Sequence, residues 1–546
     1  MSDQPADNSD AEHIETGGLH GAFRQSMAWL HTWSGIVLSI ILYFIFVTGT
    51  AGYFNYEIDH WMTPEMPGAL PAASTDEMVE MGLTYLRRET PDATRHFVSM
   101  PIDRGDRTVR VFANLKEPNE DGERFINTYL DLRTGEPIEV RDTGGGMALY
   151  RMHWALHYLP NSAATYIVGI ATLFMFLAII TGIVTHKKIF IDFFTLRLGK
   201  GQRSWLDGHN ISSVLALPFM IMITYSGLVF YDLEYSPGTM FLTMGVEQDA
   251  IDEYYQHLRP GLEFPEATGK EAPIIDPALV IAQARTTWPE AQIRFIDIFN
   301  PGDEAAMMRV GRTTDGINRG GSILQFSAVT GEAFPEPPPM PANSVFADAT
   351  LALHEGRFAN YWLRWGYFLS GVLGCAMIAT GMLLWAKKRR TRTKKNTPAA
   401  ASVVFVERTN VAIIVGLLLG VAAYFWANRL LPVDLADRAA WEMHCLFGVW
   451  ALSFLHAGLR EVRRAWREQV GLLAGLCLLL PIVNALTTNT HLVASIQSGD
   501  WVRAGFDLTM LTFGLILIVI WRRLLPPEKR HVEAPISMQA SHEAGV

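Results

Sequence analysis

The sequence predicts an α-helical integral membrane protein of about eight transmembrane helices, with two small α+β modules on the outer face. Three observations predict it: long uncharged apolar stretches, short loops that alternate in Lys and Arg content, and a strand-and-helix pattern that occurs twice. Apolar residues make up 49% of the 546, charged residues only 18%, and the net charge is −10. The mean hydropathy of +0.15 is high for a soluble chain. The acidic balance argues against nucleic acid as a partner, because phosphate contacts need a basic face. Cys375, Cys445 and Cys477 all lie in apolar runs, and C-x-x-C-H is absent. Thiolate metal sites and covalent c-type haem are therefore not expected.

A bilayer core of about 30 Å takes about 20 apolar helical residues. Gly35 to Phe54, Tyr166 to Thr185, Ile211 to Tyr231 and Trp365 to Ala386 meet this without an Asp, Glu, Lys or Arg. Val411 to Asn428, Ala439 to Leu459, Val470 to Asn484 and Phe506 to Trp521 follow, the third of them short and broken by Pro481. Cationic flanks resist translocation. The loops with Lys187, Lys188, Arg197, Lys200 and Arg203, with Lys387 to Lys395, and with Arg460, Arg463, Arg464 and Arg467 are thus expected in the cytoplasm. Both termini are expected there too. The first apolar segment follows about 30 polar residues and lacks a small-residue cleavage site, so it reads as a retained helix of a bacterial inner-membrane protein.

On this reading the chain divides into a tail (1–25), a first span (26–55), a first outer module ending in a histidine-bearing segment (56–162), and a second span (163–186). A basic loop (187–207), a third span (208–232), a second outer module (233–360) and a fourth span (361–386) come next. A basic linker (387–410), four further spans (411–524) and a tail (525–546) complete it. The first module reads as a helix from Asp76 to Glu89, strands at Thr108 to Phe112 and Thr128 to Leu132, and a turn at Thr134-Gly135-Glu136. The second repeats this order with Pro277 to Trp288, Ile293 to Ile296, Ile323 to Phe326 and Thr330-Gly331-Glu332. The flanking spans repeat as well. Trp29 and His31 open one unit, Trp205 and His209 the other, and Thr181-Gly182 and Thr380-Gly381 lie near the end of each closing helix.

Five motifs carry a resemblance over Ala22 to about Arg390. They are Trp29 to Gly35 (WLHTWSG), Arg151 to Tyr158 (RMHWALHY), His186 to Phe194 (HKKIFIDFF), Gly201 to Asn210 (GQRSWLDGHN) and Leu353 to Phe358 (LHEGRF). In these the chain resembles the PepSY-associated transmembrane family, with a PepSY module between the spans of each repeat. Some members are similar to inner-membrane siderophore reductases, and the resemblance implies two b-type haems here. The last four spans lie outside the resembling region.

Of sixteen histidines, six sit at predicted span boundaries in two depth groups. His31, His186 and His209 fall at the cytoplasmic ends; His153, His157 and His354 fall on the outer side. Two neutral imidazoles on one haem close both axial positions and leave the iron to carry electrons. Repeat equivalence favours His31 with His209 and His157 with His354, while His153 and His186 stand in reserve. A non-symmetric pairing, or a third haem using all six, stays open. His153 and His157 are four apart and share a helical face. His444 and His456, twelve apart, lie about 120° apart on their helix and do not form one face. His60 stands near the outer end of the first span. Arg24, Arg203, Arg151 and Arg357 are candidates for haem propionates. Gly35, Gly182, Gly227 and Gly381 leave room for close helix approach or a macrocycle, and Gly144-Gly145-Gly146 reads as a hinge.

No G-x-G-x-x-G follows a strand, so a flavin or nicotinamide domain is not expected. Electrons would come from a quinol or a cytoplasmic reductase and pass outward to a ferric siderophore or another ferric chelate. Reduction weakens the hold of hard oxygen ligands on the iron. Two alternatives remain: a non-catalytic anchor whose modules bind a peptide, protease or transporter, and a permease for a chelate or metal.

Overall fold

The computed structural model describes residues 9–69, 73–101, 104, 107–119, 122–186, 191, 197, 199, 201–231, 235, 238–245, 253–254, 265–313, 317, 322–335, 338–391 and 400–524. The first span is two helices, α1 (Ser9–Val37) and α2 (Ser39–Gly52), bent by 66° at Leu38. A short α3 (Asn55–Met62) follows. The first module holds α4 (Thr75–Glu89), β1 (Arg95–Ser99), β2 (Val109–Asn114) and β3 (Phe125–Leu130). Ser74 and Glu77 close a reciprocal capping box at the start of α4. Then come α5 (Gly145–Ala155) and the long apolar helices α6 (Asn161–Thr185) and α7 (Gln202–Val229). After a short α8 (Gly238–Thr243), the second module supplies α9 (Pro277–Thr287), β4 (Ile293–Phe299), β5 (Met307–Arg312) and β6 (Ile323–Ser327). Next are α10 (Ala342–Glu355), α11 (Tyr361–Thr391), α12 (Ala401–Leu430), α13 (Arg438–Leu459), α14 (Val462–Thr487), α15 (Leu492–Ser498) and α16 (Trp501–Leu524).

Six described helices are long and apolar enough to cross a bilayer, and the bent α1–α2 pair makes a seventh. The expected sixth span, Ala439 to Leu459, is present as α13 but falls short in apolarity. It carries Arg438, Glu442, His444 and His456, and the first two are fully buried against neighbouring segments. Lys187, Lys188, Lys200 and Arg392 to Lys395 of the expected basic loops lie outside the described residues.

The two expected modules are halves of one antiparallel sheet, ordered β3-β2-β1-β4-β5-β6. Their junction is the β1–β4 pair, which sets Arg95 opposite Phe299 and Ser99 opposite Phe295. Alone, each half would leave a row of unpaired N–H and C=O groups on that strand; pairing removes both edges. Strand β1 and strand β5 escaped the sequence reading, which found only four of the six. Helices α4 and α9 cover one face, and a single core runs through both halves, with Leu83, Val98 and Val111 from one and Ile281, Ile296 and Val310 from the other. The two T-G-E turns match closely. Gly135 and Gly331 take φ of +73° and +78°, a region open to glycine, and Asp131 N donates to Glu136 O as Ser327 N donates to Glu332 O.

In the helical layer α1 and α2 pack on α6 and α11, and α7 packs on α11. The last four long helices form a second bundle. It meets the first at a π-turn, Ala412 to Gly416, within α12. Tyr43 Oη donates to Ile414 O there and Trp450 Nε1 donates to Ala412 O, so neighbouring side chains bond carbonyls at the irregular turn.

Candidate functional site

Five of the six candidate histidines fall at two levels, which we name by position: the module side, next to the sheet, and the far side. On the far side, His31 of α1 and His209 of α7 lie with ring centres 6.4 Å apart and planes 66° from parallel. His31 Nδ1 lies 2.8 Å from Ala178 O of α6, and His209 Nδ1 lies 2.9 Å from Met377 O of α11. A Nδ1–H donated to a carbonyl leaves the Nε2 lone pair free. Gly182 stands four residues after Ala178, and Gly381 four after Met377. A Cβ at Gly182 would sit 3.2 Å from His31 Cε1, and one at Gly381 would sit 3.3 Å from His209 Cε1. His186 caps the end of α6, its backbone N–H donating to Gly182 O.

On the module side the facing pair is His153 of α5 and His354 of α10, with ring centres 6.3 Å apart and planes 20° from parallel. His153 Nδ1 bonds to Tyr150 O. Ser226 Oγ donates to Met222 O and lies 2.8 Å from His354 Nδ1, whose hydrogen it therefore accepts. Both imidazoles line a cavity of ≈ 280 Å³, walled by Phe46, Val168, Met175 and Phe219 among others. A Cβ at Gly227 would lie 3.4 Å from His354 Cε1, and one at Gly49 would lie 3.5 Å from His153.

His157 is not at this level. It is exposed, and its ring stacks on Phe447 of α13 at 5.7 Å. The reserve His153 takes the place opposite His354 because α5 ends at Ala155 and the chain turns at Leu156, which carries His157 away from the helical face it was expected to share. The sequence held a signal for this. His31 and Gly49 are eighteen residues apart, as are His209 and Gly227. Eighteen residues are five helical turns, which return to the same face about 27 Å along the axis of a straight helix. In the second repeat α7 carries His209 and, five turns on, Gly227 against His354; in the first the bend at Leu38 falls between His31 and Gly49, and the same spacing again sets the glycine, Gly49, against an imidazole, His153.

Metal–nitrogen bonds of about 2 Å on both sides of an iron put opposed imidazole centres about 6 Å apart. Both pairs meet that spacing, with Nδ1 engaged and glycine beside the rings. Among the described residues no group of three or more His, Cys, Asp or Glu is placed to hold a metal ion, so these histidines meet in facing pairs. Of the arginines, Arg357 pairs with Glu355 at 3.1 Å beside the cavity, and Arg151 lies over Trp154. Arg24 and Arg203 precede His31 and His209 by seven and six residues. His60 is buried against Asp500 at 2.9 Å, in a separate cluster with Arg503.

The Gly144-Gly145-Gly146 run is a clamp, not the hinge expected. Gly146 N donates to Asp59 Oδ1, Gly144 N to Glu442 Oε2, and Tyr424 Oη to Gly145 O. A Cβ on Gly146 would lie 2.1 Å from Asn55 O. Glu442 also pairs with fully buried Arg438, so α12 and α13 hold the start of the helix that carries His153. No feature of the sequence alone linked residues about 300 positions apart.

Paired spans flanking a two-part α+β sheet define a helical membrane protein with an extramembrane sheet module. The PepSY-associated TM region matches residues 28–388, and the chain belongs to that family. No curated protein matches the chain.

Proposed function

We propose that the protein is a bacterial inner-membrane haem protein that carries electrons from a quinol or a cytoplasmic reductase to a ferric siderophore or similar chelate on the module side. The observation that carries this reading is the duplicate construction of two opposed imidazole pairs, at 6.4 and 6.3 Å, at the two ends of α7. His31 and His209 would hold one b-type haem, and His153 and His354 the other. Bound haem supplies one-electron exchange without an open coordination position. The chain's own residues position it: Ala178 O, Met377 O and Tyr150 O fix three imidazole tautomers, Ser226 Oγ fixes the fourth, and the four glycines leave clearance at the rings. The distribution of Lys and Arg supports a reading with both tails in the cytoplasm and the sheet in the periplasm. Reduction of the iron there lowers the affinity of hard oxygen donors and frees it.

The test is spectroscopic. Protein purified from haem-replete cells should be red, give two haems per chain by pyridine haemochrome, and show a band that sharpens with dithionite. A colourless preparation overturns the reading. It would favour the non-catalytic one, in which the sheet edges at β3 and β6 add a strand from a partner.

A further inference from the structure

Beside the module-side pair lies a cluster that the electron path above does not use. The chain leaves α5 through Leu156 and Tyr158, both non-glycine residues with positive φ, 44° and 71°. Such backbone is costly for L-residues and persists where surrounding contacts impose it. The contacts here are polar and aromatic. Tyr158 Oη is hydrogen-bonded to His444 Nδ1, the two rings stack at 5.8 Å, and Trp441 meets His444 edge-on at 5.4 Å.

The cluster is open. Tyr158 is 57% and Trp441 50% exposed, and His444 is exposed too. The same outward stripe of α13 continues through Leu452, Leu455 and Leu459, which are 59 to 75% exposed. A stripe of that kind faces lipid, and an ionisable ring on it, paired with a named partner, marks a functional position. Headgroup anchoring by Tyr and Trp needs no strained backbone and no histidine. His153 lies four residues before His157, and Trp154 lines the cavity between His153 and His354.

We propose that Tyr158 and His444 form a quinol-oxidation site at the module-side edge of the bilayer, serving the His153–His354 level. The proposal rests on the haem reading above and names its donor. A lipid-borne quinol enters between exposed aromatic rings, and its hydroxyl donates to the Tyr158–His444 pair. Oxidation breaks two O–H bonds and yields the quinone, two protons and two electrons. One proton goes to the His444 imidazole and the other to water at the exposed rim. The two electrons would leave one at a time for the haems that His153 with His354 and His31 with His209 would hold, whose chemistry would be one-electron exchange, and two equivalents of ferric chelate would take them up.

The test uses the full-length protein in nanodiscs with decylubiquinol as the probe. Wild type should show haem reduction by decylubiquinol in stopped flow and saturable quenching of tryptophan fluorescence by decylubiquinone. Tyr158→Phe and His444→Leu should slow quinol-driven reduction by about a hundredfold, the range for loss of a positioned proton acceptor, and weaken the quenching. Their haem content and dithionite reduction should stay unchanged. Equal quinol-driven rates in wild type and variants overturn the site, as does red protein that dithionite reduces and decylubiquinol does not. If the protein is colourless the haem reading fails, and quenching then decides the site: unchanged quenching in both variants rejects it. Quenching that anionic phospholipid abolishes equally in wild type and variants identifies a headgroup contact and also overturns it.

Discussion

The two histidine levels share a spacing but not a construction. On the far side both imidazoles belong to long helices, α1 and α7, and their Nδ1 atoms reach carbonyls of two others, α6 and α11. That level is complete within the repeated spans. On the module side the imidazoles ride on α5 and α10, which have 11 and 14 residues and follow the sheet. Helix α5 is held at its start by Asp59, Glu442 and Tyr424, the last two from the second bundle. The lesson is that one level is set by span packing alone, whereas the other also depends on the four helices outside the family match.

The largest effects should come from the pairs themselves. His209→Ala and His354→Ala should each remove about half the haem, with the remaining centre keeping its own spectrum. His153→Ala should act like His354→Ala, and His157→Ala should keep full haem content; the reverse would return the pairing to His157. Next is the clamp. Gly146→Ala puts a methyl against Asn55 O, an overpacking of about 1–3 kcal/mol, and should disturb the module-side haem while the far-side haem stays at wild-type potential. Glu442→Gln leaves Arg438 buried without its charge partner, for which breaking a buried pair costs about 3–5 kcal/mol. It should loosen the same centre, read as a shifted potential or lowered occupancy. Equal loss at both levels in either variant would show that the second bundle supports the whole fold and not one level.

How far these levels were legible in the sequence differs in the same way. The far-side pair was readable because its histidines, its T-G dipeptides and its spans all repeat, and apolar periodicity places them directly. The module-side pair was half readable: His354 was found, but its partner depends on where α5 ends, and the positive φ at Leu156 that ends it has no glycine to announce it. The sheet was read as two modules because strand pairing between Arg95 and Phe299, some two hundred residues apart, leaves no local trace. The bend at Leu38 lay in an uncharged stretch without proline, with Ser39 as the one polar residue beside it. Neither periodicity nor turn chemistry marked it.

The smallest expected effect separates the sheet from both levels. His96 in β1 is buried, with Nε2 3.0 Å from Thr90 O and 3.1 Å from Thr90 Oγ1. Burial lowers its pKa, and the Thr90 bond and nearby Arg87 act less strongly. Because the folded value lies below the unfolded one of about 6.5, the unfolded chain binds the proton first. His96 therefore costs no stability above pH 6.5, and stability falls as the pH drops from there toward the folded pKa. Asp303 acts in a different window. Backbone N–H groups of Ala305, Thr268 and Gly269 hold its carboxyl near about 2, so its contribution is lost only below the ordinary carboxylate range. Protection factors of amides in β1 and β4, taken after correction for the intrinsic pH dependence of exchange, should accordingly fall between pH 7 and pH 5.5, and His96→Gln should flatten that dependence, while haem spectra at both levels stay fixed over the same range. Protection that rises on acidification, or a variant with the wild-type slope, would assign the sensitivity to another group. A spectral change in step with the exchange would show that the sheet and the module-side level respond as one unit.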